Sequence, residues 1–153
     1  MTIDAAITLV ISQLDNISSL KEEQSLALKA FLRGKAVFGL LPTGFGKSLI
    51  YQLAPLVAKE LGMKPKPILI VVSPLTALVA DQIKEATNLG LYAAQLVDNA
   101  AHTDILDGRC QLVFGSPETW LLEDKWRDML SSQVYRENLL GIVVDEVHVA
   151  YKW

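Results

Sequence analysis

The sequence predicts an α/β fold in which a mostly parallel β-sheet is flanked by helices. Short apolar runs stand at Ile68–Val72 (ILIVV, the most β-branched in the chain), Gln111–Gly115 (QLVFG) and Leu139–Val144 (LLGIVV). Each run is continuously apolar rather than alternating, the pattern of strands buried on both faces. Segments of helical periodicity lie between them, so right-handed β-α-β crossovers are expected.

Each element has its own signal. Ile3, Ala6, Ile7, Val10, Ile11 and Leu14 share one face at helical spacing. The segment carries no basic residue, which favours packing on the domain over a membrane surface. Residues 1–19 therefore read as an amphipathic helix and lead-in, and 20–153 as the domain proper. A second helix is expected from Lys21 to Leu32, with Gly34 as its stop signal. Ala36–Leu41 (AVFGLL) reads as a short buried strand and Pro42–Gly46 as a Gly-rich turn. Lys47–Lys59 has helical periodicity, with Pro55 expected to kink it or end it early. A loop precedes the strand at 68–72. Leu75–Leu89 reads as a helix closing near Gly90. Tyr92–Val97 is a further strand candidate, and 99–109 is polar with room for one helical turn. Pro117–Ser131 reads as mostly helix, and the last strand ends at Asp145.

At about 150 residues per domain, 153 residues make one domain. An apolar content of 51% with 20% charged residues excludes disorder. One cysteine, Cys110, excludes an internal disulfide and a cysteine-based zinc site. The longest apolar runs fall far short of the ~18 residues a membrane span needs, so no membrane partner is expected. No Lys or Arg precedes Lys21, so no signal peptide is read and an intracellular protein is expected. The net charge of −3 excludes nonspecific attraction to nucleic acid as the main argument. Local hydroxyls and backbone amides can still hold phosphates.

The strongest chemical signal is Pro42-Thr43-Gly44-Phe45-Gly46-Lys47-Ser48, between an expected strand and an expected helix. That is the context of a phosphate-binding P-loop. Glycines let backbone N–H groups converge on an anion, and the helix start adds its positive dipole end. Lys47 would reach the β- and γ-phosphates, and the Ser48 hydroxyl would ligate Mg²⁺. The general pattern wants Gly at the position of Leu41, so the match misses one residue. A chance Gly-rich turn is the competing reading of this loop alone.

Asp145-Glu146-Val147-His148 follows the last strand. Carboxylates at the C-terminal end of a parallel strand face the ligand crevice. Asp145 would hold Mg²⁺ through water, and Glu146 would orient or deprotonate the attacking water. A DE pair alone reads better as a solvated strand end; paired with the P-loop it becomes a candidate hydrolytic site. His148 is a candidate coupling residue, whereas His102 has no such context and reads as a loop residue. Trp120 and Trp126 could stack on bases, but their helical setting favours the core. Phe45 sits in the loop and would cover the nucleotide.

PTGFGKS at 42–48, SPLTALVADQ at 73–82, SPE at 116–118 and DEVH at 145–148 follow the order of superfamily 2 helicase motifs I, Ia, Ib and II. The sequence resembles the RecQ family of DNA helicases, from about Leu20 to Trp153, most clearly in LPTGFGKSLIYQL and VVSPLTALVADQ. The resemblance implies a RecA-like P-loop NTPase domain that uses ATP and Mg²⁺. It implies a 3′–5′ DNA helicase of repair or recombination acting on single strands or single/double-strand junctions. Gln24 stands where the family reads the adenine edge. Ser73, Pro74 and Thr76, with Ser116, Pro117 and Glu118, would lie along the single-strand path. His148 would relay nucleotide state toward the DNA.

Departures are Ile17, where the family usually stacks an aromatic on adenine, and Lys21, where it carries arginine. Both would weaken base selection. Val147 replaces the commoner alanine, a small apolar change. Only nine residues follow Val144. Within 153 residues the family's motif III strand, second RecA-like domain and arginine finger are not found, so a partial domain is expected, working with a C-terminal helicase domain in cis. A nuclear location follows from the family for a eukaryotic source. The alternatives are another superfamily 2 translocase acting on RNA, and a degenerate module that binds nucleotide without catalysis.

Overall fold

The computed structural model describes residues 1–14, 17, 19–33, 47–73 and 76–144; of Lys47, Ser48, Thr76, Ala77, Leu78 and Val144 it describes the backbone. The expected strand Ala36–Leu41, the turn Pro42–Gly46, and Asp145 onward lie outside the described residues.

Among the described residues the chain opens with three helices, α1 (Ile3–Ser12), α2 (Glu22–Leu32) and α3 (Lys47–Glu60). Strand β1 (Ile68–Val72), helix α4 (Thr76–Asn88) and strand β2 (Ala93–Gln95) follow. A 3₁₀ turn at Asn99–Ala101 leads into α5 (His102–Leu106) and β3 (Leu112–Gly115). Three short helices, α6 (Pro117–Leu122), α7 (Asp124–Leu130) and α8 (Gln133–Asn138), lead to β4 (Leu139–Val144). The described strands form one sheet in the order β2-β3-β1-β4, with every pair parallel.

Local chemistry accounts for the helix ends. Thr2 Oγ1 accepts the Ala5 N–H at 3.1 Å and caps α1. Gly62 and Gly90 close α3 and α4 at φ 71° and 88°, a region glycine enters without Cβ strain. The Met63 N–H bonds Ala58 O, and the Leu91 N–H bonds Ala86 O, each at 3.0 Å. These are the 6→1 bonds of a Schellman ending.

Side chains of β1 alternate between two cores. Leu69 and Val71 pack with α1, α2, α3 and α4 on one face. Ile68 and Ile70 pack with α5, α7 and α8 on the other. The continuous apolar run therefore reports burial on both faces, as expected. Between Ile68 and Leu69 the pairing with β4 shifts register, a β-bulge. A Cβ on Gly141 would stand 2.9 Å from Phe31 Cζ, so glycine in this strand makes room for the α2 ring.

Two expectations are corrected, and two details are added. Pro55 lies inside α3 and does not end it. Leu53, Ala54, Val57 and Ala58 around it are fully buried, so packing on the sheet outweighs one missing N–H. The segment 117–131 is broken at Glu123, which adopts extended backbone between α6 and α7. Helix α8 was not expected, and His102 opens α5 rather than lying in a loop.

Candidate functional site

The register places the strand ends together. Val72 pairs with Gly115 on one side and with Val144 on the other. The residues that follow β1 and β3, Ser73 and Ser116, thus share the C-terminal edge of the sheet. The Ser73 N–H donates to Gly115 O at 3.0 Å, and both serines line one cavity with Val79, Leu96 and Phe114. Its volume is about 50 Å³, room for a few waters but not for a base. A Cβ on Gly115 would stand 2.5 Å from Trp120 Nε1 and 2.7 Å from Leu96 Cδ1, so only glycine fits beneath that indole.

Ser73 is buried, and Ser116 is half-buried as the N-cap of α6. Its Oγ accepts the Thr119 N–H at 3.1 Å and lies 2.8 Å from Thr119 Oγ1. Pro117 is buried in the first turn and Glu118 is exposed beside it. The Glu118 carboxylate complements the N-terminal dipole of α6; toward a nucleic acid it offers acceptors for a base edge, not a phosphate contact. Sequence reasoning missed Thr119, whose hydroxyl faces Ser116. The Ser-Pro-x-Thr spacing, a capping pattern, was the available signal.

Lys47 and Ser48 occupy the first two positions of the 14-residue α3, whose first turn holds no acidic residue. Among the described residues, no carboxylate of its own first turn competes with an anion for its leading N–H groups. This donor set fits the phosphates of ATP. Asp145, Glu146 and His148, the loop residues Pro42, Thr43, Gly44, Phe45 and Gly46, and Pro74 lie outside the described residues. The side chains of Lys47, Ser48 and Thr76 do so as well. Among the described residues no group of three or more His, Cys, Asp or Glu gathers to hold a metal.

Gln24 lies in the first turn of α2, which packs on α3, and it is buried at 6% exposure. Its Oε1 accepts the Lys21 N–H at 2.9 Å, so the amide also holds the helix start in shape. Ile17 is half-buried against the same core and lines a cavity with Leu49 and Gln52 of α3. Gln24, Lys21 and Ile17 are thus all carried by the segment leading onto α3. Trp120 and Trp126 are buried, at 7% and 0% exposure, as their helical setting implied. Gln52 was also missed: it is a buried polar residue in the middle of α3.

A parallel sheet with helices on both faces, its edge closed by Ser73 and Ser116, is the layout of a RecA-like α/β domain. The chain belongs to the DEAD/DEAH box helicase family, whose match runs over residues 21–153. It is 34% identical over 140 residues to the ATP-dependent helicase SGS1 of Saccharomyces cerevisiae, covering 87% of this chain and 10% of that protein. It is 34% identical over 121 residues to the ATP-dependent DNA helicase RecQ of Synechocystis, covering 74% of this chain and 23% of that one. Among solved structures, the DUF1998 helicase MrfA, bound to DNA and AMPPNP, superposes with a TM-score of 0.69 at 22% identity. That match covers 94% of this chain and 21% of MrfA, and it speaks for the fold. The chain spans between a tenth and a quarter of the length of these relatives. Among the described residues no helix is long and apolar enough to cross a membrane.

Proposed function

We propose that the chain is the nucleotide-binding part of an ATP-dependent 3′–5′ DNA helicase acting in DNA repair or recombination. One observation carries the reading: Lys47 and Ser48 open α3 with no acid in its first turn, in a chain of this helicase family. Lys47 contacts the β- and γ-phosphates, while the α3 N–H groups and the loop Pro42–Gly46 wrap them. Ser48 and Asp145 hold Mg²⁺, which when bound neutralises charge on the phosphate oxygens. Glu146 orients the attacking water, and Gln24 reads the adenine edge. The parallel register supports a shared site, because Asp145 follows in sequence the strand residue Val144, paired with Val72.

Ser73, Pro74, Thr76, Ser116, Pro117 and Glu118 border the path of single-stranded DNA, and His148 relays nucleotide state toward it. The RecQ-like relatives favour DNA over RNA as the track. In the whole protein a second RecA-like domain supplies an arginine finger, and the cleft between the two domains opens and closes as the strand is stepped along. A nuclear location goes with this reading if the source is eukaryotic. Arginine fingers contribute about 10³–10⁵-fold in rate, so the 153-residue chain by itself binds ATP, hydrolyses it slowly and does not unwind duplex.

The test is a Mg²⁺–ATP titration of this chain beside Lys47→Ala, with circular dichroism to confirm that both are folded. Saturable binding that is lost in Lys47→Ala is expected. A folded wild-type chain that binds no nucleotide overturns the proposal.

A further inference from the structure

Two helices lead away from the two halves of the proposed site. Helix α3 starts at Lys47, on the nucleotide side, and α4 starts at Thr76, just past Ser73 on the strand-edge side. Gln52 lies five residues into α3, about 7.5 Å along its axis. It is a polar side chain at only 3% exposure. Its Nε2 donates to Glu85 Oε2 of α4 at 3.2 Å, across 33 residues of sequence.

Beside this bond lies a cavity of about 170 Å³, lined by Leu49 and Gln52 of α3 and by Glu85 and Asn88 of α4. At this level a polar link spans a gap between two helices that otherwise share one apolar core. A buried amide must keep its partner, because leaving it unpaired carries the full desolvation penalty. A hydrogen bond to a carboxylate is also stronger than one between neutral groups. A displacement of α3 would strain this bond, and the gap leaves room for the two helices to adjust.

We propose that Gln52 is a positioning residue that couples nucleotide binding at the start of α3 to single-strand binding at the start of α4, acting through Glu85. The inference rests on the nucleotide- and DNA-binding reading above. It adds a route between the two sites that neither Lys47 nor Ser73 supplies.

The experiment measures the affinity of this chain for a fluorescein-labelled oligo-dT, with and without a saturating non-hydrolysable ATP analogue and Mg²⁺. The ratio of the two affinities is the coupling factor, expected to be roughly 5-fold or more for the wild type. In Gln52→Leu and in Glu85→Ala this ratio should fall close to one, while the affinity for each ligand alone is unchanged. The exchanged pair Gln52→Glu with Glu85→Gln restores an amide–carboxylate bond and should restore the ratio, which a purely structural role would not require. A folded Gln52→Leu that keeps the wild-type ratio overturns the proposal. If Gln52→Leu does not fold, Glu85→Ala gives the same reading at an exposed position, and an unchanged ratio there overturns it too. Wild-type chain that binds both ligands without coupling overturns this inference alone. Wild-type chain that binds neither overturns the functional reading beneath it.

Discussion

The two faces of the sheet are built differently. One carries α1, α2, α3 and α4, helices of 10, 11, 14 and 13 residues, with a largely aliphatic core. The other carries α5, α7 and α8, of 5, 7 and 6 residues, around Trp126, Met129 and Tyr135. Helices that short do not hold themselves together. They are pinned by specific bonds instead. Tyr135 Oη donates to Ile105 O at 2.6 Å. His102 Nε2 bonds Leu96 O at 2.6 Å, and its ring meets Trp126 edge-on at 4.8 Å. Asn138 accepts the Lys66 N–H at 3.0 Å and donates to Val134 O at 2.9 Å. The long-helix face thus rests on burial and the short-helix face on a few aromatic and polar anchors. The candidate nucleotide residues Lys21, Gln24, Lys47 and Ser48 all belong to elements of the first face.

Removing the largest anchor should separate the two faces most clearly. Trp126 is fully buried, and Trp126→Ala should cost about 3–5 kcal/mol in a denaturant titration. Native-state hydrogen exchange should then show α5, α7 and α8 losing protection while α1 to α3 keep theirs. Equal loss on both faces would mean that they open as one unit.

Alkaline pH should act on the same face with a smaller effect. Burial pushes the Cys110 thiol up from 9.0 to about 11. The hydrogen bond to Asp104 is the main cause that raises the Tyr92 phenol from 10.0 to about 12. Burial raises Tyr135 as well. Each group binds its proton more tightly in the folded chain. Their contribution is therefore complete below pH 9.0 and is lost as pH rises toward about 11 for the thiol. Unfolding midpoints measured across that window should fall, and Cys110→Ala should flatten the fall. A midpoint that rises with pH would contradict the protonated assignment.

Tyr135→Phe should produce the smallest change. It removes one side-chain bond to Ile105 O and keeps the ring, so about 1 kcal/mol of destabilisation is expected from thermal melts. An unchanged melt would show that the Tyr135 hydroxyl adds nothing to the burial of its ring.

The same contrast governs how much of the molecule could be read from the chain. Helices α1 to α4 announce themselves through apolar spacing over about three turns or more, and β1, β3 and β4 through short apolar runs. The expected strand 68–72 matches β1 in both bounds. Helices α5 and α8 are too short for a periodic signal and depend on bonds to distant backbone. His102 was misread for that reason: its partners Leu96 and Trp126 are six and 24 positions away. Pro55 was misread because a local rule was applied where burial of Leu53 and Val57 decides. In the candidate site, Lys47 and Ser48 were legible as a motif, whereas Gln52 looked like one more polar residue on a helix.

The sequence by itself determined the α/β class, the apolar strands and the helicase-type motif order. These follow from side-chain periodicity and from short contiguous patterns, which need no knowledge of distant contacts. The tertiary structure alone decided the strand order β2-β3-β1-β4, the meeting of Ser73 and Ser116 at one edge, and the bond from Gln52 to Glu85. Those depend on which apolar faces bury against one another. Burial is collective, so no local pattern along the chain encodes its partner.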